Sequence, residues 1–203
     1  MLHYEAVVPR TLELLRSLSA LAEFEPFELV GGTALALHLG HRQSIDLDFF
    51  TDNDFDAHSL LTVIEKNHKT MVSNITSNSL NLTADDIKLD ILSHKYPKLQ
   101  KSERHDNITI ASVQDIAAMK MNAATNRGSK KDFYDLYFLI ERFGLKRLID
   151  YFEKKYTNIS TVLVLKSLVY FEDAELDPNP MPITSLDWEQ VKRKMEEEVK
   201  LYF

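Results

Sequence analysis

Residues 31–51, GGTALALHLGHRQSIDLDFFT, constrain the fold more than any other stretch of the chain. They combine a Gly-Gly pair, a short apolar helix, a loop through His41 and Arg42, and a strand with aspartates at 46 and 48. Side chains alternate along a strand, so Asp46 and Asp48 are expected on one face, roughly 6.6 Å apart at about 3.3 Å of rise per residue. Ile45, Leu47 and Phe49 are expected on the opposite face, packed into a core. Two carboxylates so placed can share a divalent cation, or grip a pair of cations, beside a triphosphate. Gly31 and Gly32 read as a turn that lets backbone approach a phosphate, and the helix start behind them offers unpaired N–H groups. Taken singly, an Asp-x-Asp is the wet side of an amphipathic strand and a Gly-Gly is a turn. The ordered combination is what points to chemistry.

The rest of the chain supplies an ordinary α/β frame around this stretch. Residues 5–23 carry Val8, Leu12, Leu15 and Leu18 at helical spacing, and residues 27–30 form an apolar strand leading into the glycines. Residues 33–39 read as a helix closed by Gly40, and residues 57–67 as another. Three strands follow at 70–76, 79–83 and 87–92. In the last of these Lys88 and Asp90 alternate with Ile87, Leu89 and Ile91, so Asp90 is a candidate third carboxylate with a lysine beside it. After a lysine-bearing loop and a short apolar run at 108–111, helices are expected from Ser112 to Arg127, at 130–143, 145–156 and 160–171, and at 186–201. Residues 173–183, DAELDPNPMPI, read as an acidic loop broken by proline. His41 and His58 are expected on loops or exposed faces, and Ser112 with Asp115 fits a capping box.

A chain of 203 residues, 44% hydrophobic and 27% charged, suits one substantial core with a helical extension. We expect a nucleotide-handling α/β core over 1–110 and a helical region over 111–203 that completes its cleft. The absence of cysteine excludes a disulfide framework and a thiol nucleophile, and is compatible with the cytoplasm. No apolar run is long enough to span a membrane, and MLHYEAVVPR lacks the pattern of a secretion signal. A net charge of −7 argues against coating nucleic acid by bulk electrostatics. Local basic stretches remain at residues 95–104, KYPKLQKSER, and 127–131, RGSKK, where Lys130 and Lys131 taken singly read as solvated charges.

The wording GGTALAL…GHR.S.DLDFF resembles the first motif of the nucleotidyltransferase superfamily that includes DNA polymerase beta, and in particular the AbiEii/AbiGii toxin family of abortive-infection and type IV toxin–antitoxin systems. The region DIAAMKMNAATNRGSKKDFYDLYFLIE resembles the later motifs of that family, and the resemblance covers roughly residues 28–145. It implies a mixed sheet of nucleotidyltransferase type with a C-terminal helical bundle. It implies Mg²⁺ or Mn²⁺ on Asp46, Asp48 and Asp90, and catalytic roles for these three with Lys120 and Asp132. Gly31, Gly32, Thr33, Arg42, Ser44, Lys88, Lys120, Arg127 and Asp135 are the implied nucleotide contacts. The implied reaction transfers a nucleoside monophosphate from a nucleoside triphosphate to an acceptor, with RNA, and the tRNA 3′ end above all, as the family's leading acceptor. A cognate antitoxin acting without a stable complex is the expected partner. A nucleotide- or partner-binding protein without turnover, and a metal-dependent nuclease, are the competing readings.

Overall fold

The computed structural model describes residues 2–181 and 185–202. The expected loop at 173–183 reaches Pro182 and Ile183, which lie outside the described residues. Two compact units are formed. The first takes in the chain up to Gly40, then Ser44–Tyr96 and Lys101–Ser112; the second takes in His41–Gln43, Pro97–Gln100 and the chain from Val113 onward. Two short segments ahead of residue 110 thus belong with the helices, which a single cut at 110/111 does not express.

The first unit is built on a seven-stranded mixed sheet. Its strands are β1 (Glu28–Val30), β2 (Leu47–Thr51), β3 (Thr70–Thr76), β4 (Ser79–Ala84), β5 (Ile87–Ser93), β6 (Glu103–His105) and β7 (Ile108–Ile110), in the order β3-β4-β5-β2-β1-β7-β6. The β2–β5 and β1–β7 pairs are parallel and the others antiparallel. Helices α1 (Pro9–Ser19), α2 (Gly31–Leu39) and α3 (Ala57–Glu65) belong to the same unit. Alternation decides the faces: Leu47, Phe49, Leu80, Leu82, Leu89 and Ile91 are buried, while Asp48, Phe50, Asn81 and Asp90 alternate with them and stay partly exposed. Each fully buried apolar side chain contributes about 1.5–3 kcal/mol, so this register is held by the core.

Three local expectations change. The glycines do not form a separate turn, because α2 begins at Gly31 itself. The aspartate strand begins at Leu47, so Asp46 precedes it and Ile45 is 60% exposed. The backbone there is tied elsewhere: Ser44 N–H donates to Ala6 O, Val8 N–H to Ser44 O, and the Thr11 hydroxyl to Ile45 O. Pleating therefore does not extend back to residue 45. Finally, β6 lies within a stretch expected to be loop, and Arg104 is part of the sheet edge.

The second unit is helical: α4 (Val113–Asn126), α5 (Lys130–Phe143), α6 (Leu145–Lys155), α7 (Thr161–Ser167), α8 (Glu172–Glu175) and α9 (Trp188–Tyr202). The expected helix at 160–171 is thus shorter, and α8 forms within the stretch expected to be acidic loop. Gly128, at φ +49°, closes α4, with its N–H donating to Ala123 O. Ile116, Met121, Phe133, Leu136, Leu139, Leu148 and Phe152 are among its buried side chains. Among the described residues no helix is long and apolar enough to cross a membrane.

Candidate active site

The parallel pairing of β2 with β5 sets Asp48 opposite Asp90, so these side chains stand on one face of neighbouring strands. Strands are spaced about 4.8 Å apart, which brings two like charges close. The Lys88 ammonium compensates: it lies 2.7 Å from Asp90 Oδ2, and Asp90, Asp48 and Asp46 together raise its pKa against the effect of burial. All three aspartates therefore act on one cation. Asn81 Nδ2 donates to Asp90 Oδ1 at 2.9 Å, so both Asp90 oxygens are engaged. Among the described residues no three such side chains converge closely enough to hold a metal ion as they stand.

The glycine and threonine ahead of this face position it. Gly31 sits at φ +68°, and a Cβ there would lie 2.1 Å from Asp48 Oδ2. Only glycine satisfies both the backbone and the close approach of that carboxylate. Asp48 thereby faces the start of α2, where a negative charge is favoured by the helix dipole. Thr33 is buried: its hydroxyl donates to the Asp46 carbonyl and is hydrogen-bonded to the Ser44 hydroxyl 2.8 Å away. Thr33 and Ser44 thus fix the backbone that carries Asp46.

The second unit gathers the remaining candidates into a buried ionic network. Asp135, fully buried, accepts from Arg42 Nε at 2.6 Å, from the other arm of that guanidinium at 3.0 Å, and from His41 Nε2 at 2.7 Å. Lys120 Nζ lies 2.6 Å from Asp135 Oδ2 and 2.8 Å from Asp132 Oδ1. Arg127 Nε donates to Asp132 Oδ2 at 3.0 Å, and the Ser129 hydroxyl donates to the same oxygen. Burial alone would raise both carboxyls; for Asp132 the charges of Lys120 and Arg127, and for Asp135 those of Arg42 and Lys120, hold them well below the usual range. Burial would likewise depress Lys120, yet Asp132 and Asp135 raise it.

Gly31, Gly32, Thr33, Ser44, Asp46, Asp48, Lys88 and Asp90 thus belong to the first unit, and Arg42, Lys120, Arg127, Asp132 and Asp135 to the second. His41 lies on a loop, one of the two placements expected for it, but is only 3% exposed, because its ring completes the shell of Asp135. Lys130 is likewise no solvated charge but is buried, its ammonium 2.8 Å from Asp177 O. Asp115 does more than cap a helix. It is buried, accepts the N–H groups of Leu99 and Gln100, and pairs at 2.7 Å with Lys155 Nζ, which also donates to Pro97 O. Lys155 escaped notice because a lysine late in an amphipathic helix carries no local sign of burial. In the basic stretch at 95–104, Lys95 Nζ lies 2.7 Å from both oxygens of Asp54.

The mixed sheet presents aspartates from adjacent parallel strands beside a glycine-led helix, and the family comparison puts the chain that carries this arrangement in the nucleotidyltransferase class. The structure is similar to MenT4, a nucleotidyltransferase toxin of Mycobacterium tuberculosis, with a TM-score of 0.61 and 15% identity over 94% of this chain and 82% of that one. It is also similar to JHP933 from Helicobacter pylori, with a TM-score of 0.56 and 20% identity over 96% and 92% of the two chains. At such identities the likeness shows the fold. In sequence the chain is 40% identical over 198 residues, 94% of each chain, to an uncharacterized protein of Aquifex aeolicus (strain VF5). The family model of the nucleotidyl transferase AbiEii toxin of type IV toxin–antitoxin systems matches residues 13–202. The chain belongs to the AbiEii family.

Proposed function

We propose that this protein transfers a nucleoside monophosphate from a nucleoside triphosphate to RNA, with the tRNA 3′ end as leading acceptor, and so acts in the cytoplasm as the toxin of a type IV system. Its antitoxin would oppose it without forming a stable complex. The observation that carries this reading is the pairing of Asp48 with Asp90, with Asp46 close by and Lys88 balancing their charge. Such a set of hard oxygen donors fits Mg²⁺ or Mn²⁺, and Lys88 already stands among them as a cation. Asp46, Asp48 and Asp90 are the residues that would hold the ion, Asp90 by releasing Lys88. When bound, the ion supplies charge neutralisation of the triphosphate.

In the reaction the acceptor hydroxyl oxygen bonds to the α-phosphorus and the bond to pyrophosphate breaks. The hydroxyl proton passes to a carboxylate, for which Asp90 is the assigned base. The test is incorporation of α-labelled nucleoside triphosphates, each of the four in turn, into total RNA with Mg²⁺ or with chelator. Metal-dependent label in RNA from the wild type, lost in Asp48→Asn, is the expected result. Bound nucleotide without incorporation would instead favour a binding protein. Cleaved RNA without incorporation would favour a nuclease.

A further inference from the structure

Apart from the aspartates of β2 and β5, the first unit brings three further reactive side chains together. Ser17 stands in the last turn of α1, His68 between α3 and β3, and Asp85 in the turn joining β4 to β5. Asp85 Oδ2 lies 2.7 Å from His68 Nδ1, and His68 Nε2 lies 2.9 Å from Ser17 Oγ. A carboxylate at Nδ1 draws the ring proton to that nitrogen, so Nε2 presents its lone pair to the serine O–H. The other carboxylate oxygen accepts the Lys69 N–H at 3.0 Å. These two bonds hold the Asp85 carboxyl below its usual value, so it stands charged behind the imidazole. Arg10, seven residues before Ser17 and so on the same face of α1, donates to Asp85 O and ties the helix to that turn. The imidazole is sheltered, with 9% of its side chain exposed, while Ser17 is half-buried.

A structural tie explains these choices poorly. A helical serine that needs only a hydrogen bond finds it at the carbonyl four residues back, whereas Ser17 reaches a histidine 51 positions away. The β4–β5 turn has φ +50° at Asp85 and +66° at Asp86, a conformation best met by asparagine or glycine. A carboxylate is what the histidine requires there.

We infer that Ser17 is a nucleophile that accepts the acyl group of an activated ester or thioester, with His68 as its general base and Asp85 positioning that base. Such a constellation is recognised by its geometry and roles, not by the order of its members along the chain. In the step the Ser17 oxygen bonds to the carbonyl carbon and the bond to the leaving alkoxide or thiolate breaks. The serine proton passes to His68 Nε2 and from there to the leaving group, which yields an acyl-serine and a neutral alcohol or thiol. Nothing in this step draws on nucleotide transfer.

The test exposes the full chain to p-nitrophenyl acetate at neutral pH, times the release of nitrophenolate, and locates the acetyl group by peptide mass spectrometry. Wild type is expected to carry acetyl on Ser17, and Ser17→Ala to lack the matching phase of nitrophenolate release. His68→Gln should slow acetylation of Ser17 roughly 10²- to 10⁴-fold, the usual contribution of a general base. Asp85→Asn should lower the maximal rate of acetylation and leave the half-saturating ester concentration unchanged, a split that a merely structural role would not produce. A wild type without acetyl on Ser17 overturns the inference, as does His68→Gln acetylated there as fast as wild type. An Asp85→Asn with an unchanged maximal rate removes the positioning role of that carboxylate. Should His68→Gln fail to fold, wild type and Ser17→Ala decide the matter between them, by the presence of acetyl on Ser17 and the loss of its release phase.

Discussion

Replacing Asp135 with asparagine should destabilise the protein far more than replacing Lys120 with methionine, although the two side chains touch. The asparagine removes the charged acceptor of both Arg42 bonds, of Lys120 and of His41 at a fully buried site. Removing one partner of a buried ionic group leaves uncompensated charge, at about 3–5 kcal/mol. In a chain of this size that is a fall in melting temperature of roughly 6–20 °C, at about 2–4 °C per kcal/mol. Lys120→Met leaves each carboxylate served: Asp135 keeps both bonds from Arg42 and the one from His41, and Asp132 keeps Arg127 and Ser129. What is lost is a charged hydrogen bond at each carboxylate, with about 1–3 kcal/mol expected in total because the methionine fills the space. Urea and thermal unfolding of both variants at neutral pH would read the difference. If Lys120→Met is as destabilising as Asp135→Asn, the carboxylates depend on Lys120 rather than on the arginines, and the partner-by-partner reasoning fails. A folded Lys120→Met that binds nucleotide but transfers none would give Lys120 a catalytic role beyond its structural one.

Other outcomes follow from the same geometry. Gly31→Ala places a Cβ against Asp48 Oδ2 at a backbone φ of +68°, so it should cost about 1–3 kcal/mol in urea unfolding and reduce transfer by displacing that carboxylate; wild-type stability and activity would contradict the close approach. Because Asp132 and Asp135 have carboxyls held below their ordinary value of 3.8, the stability they contribute is complete above that value and is lost as pH falls toward their lower folded-state values. The urea midpoint should therefore be level from about pH 7 to pH 5 and drop below about pH 4, and Asp135→Asn should flatten the drop; an unchanged profile in that variant would count against the depressed carboxyl. Lys155→Met should lose about 3 kcal/mol or more and speed amide exchange at residues 97–100, while Lys155→Met with Asp115→Asn should recover part of the loss; equal stability of single and double variants would rule out the buried pair.

Much of the frame was legible in the residues. The alternation in residues 79–92 places Leu80, Leu82, Leu89 and Ile91 inside and Asp90 outside, and the helix expected over 130–143 has those bounds in the structure. These features depend on periodicity and on local stops such as Gly128, which a linear reading contains. Where local and tertiary demands compete, the linear reading slipped. Ile45 continues the apolar alternation of its strand, but the bonds of Ser44 with Ala6 and Val8, and that from the Thr11 hydroxyl to Ile45 O, hold this backbone away from the sheet.

The sequence by itself singled out the candidate groups: the glycine-led helix, the Asp-x-Asp, the Lys-x-Asp three strands later, and the helical lysine and aspartates. Tertiary structure decided what those groups face. Arg42 and Asp135 are 93 positions apart, and Asp115 and Lys155 are 40 apart, yet each pair is buried in contact. Charged residues on amphipathic helices look alike in sequence whether water or a carboxylate awaits them. Their burial is set by long-range packing, and burying a charge is tolerated only where a partner from a distant part of the chain arrives with it.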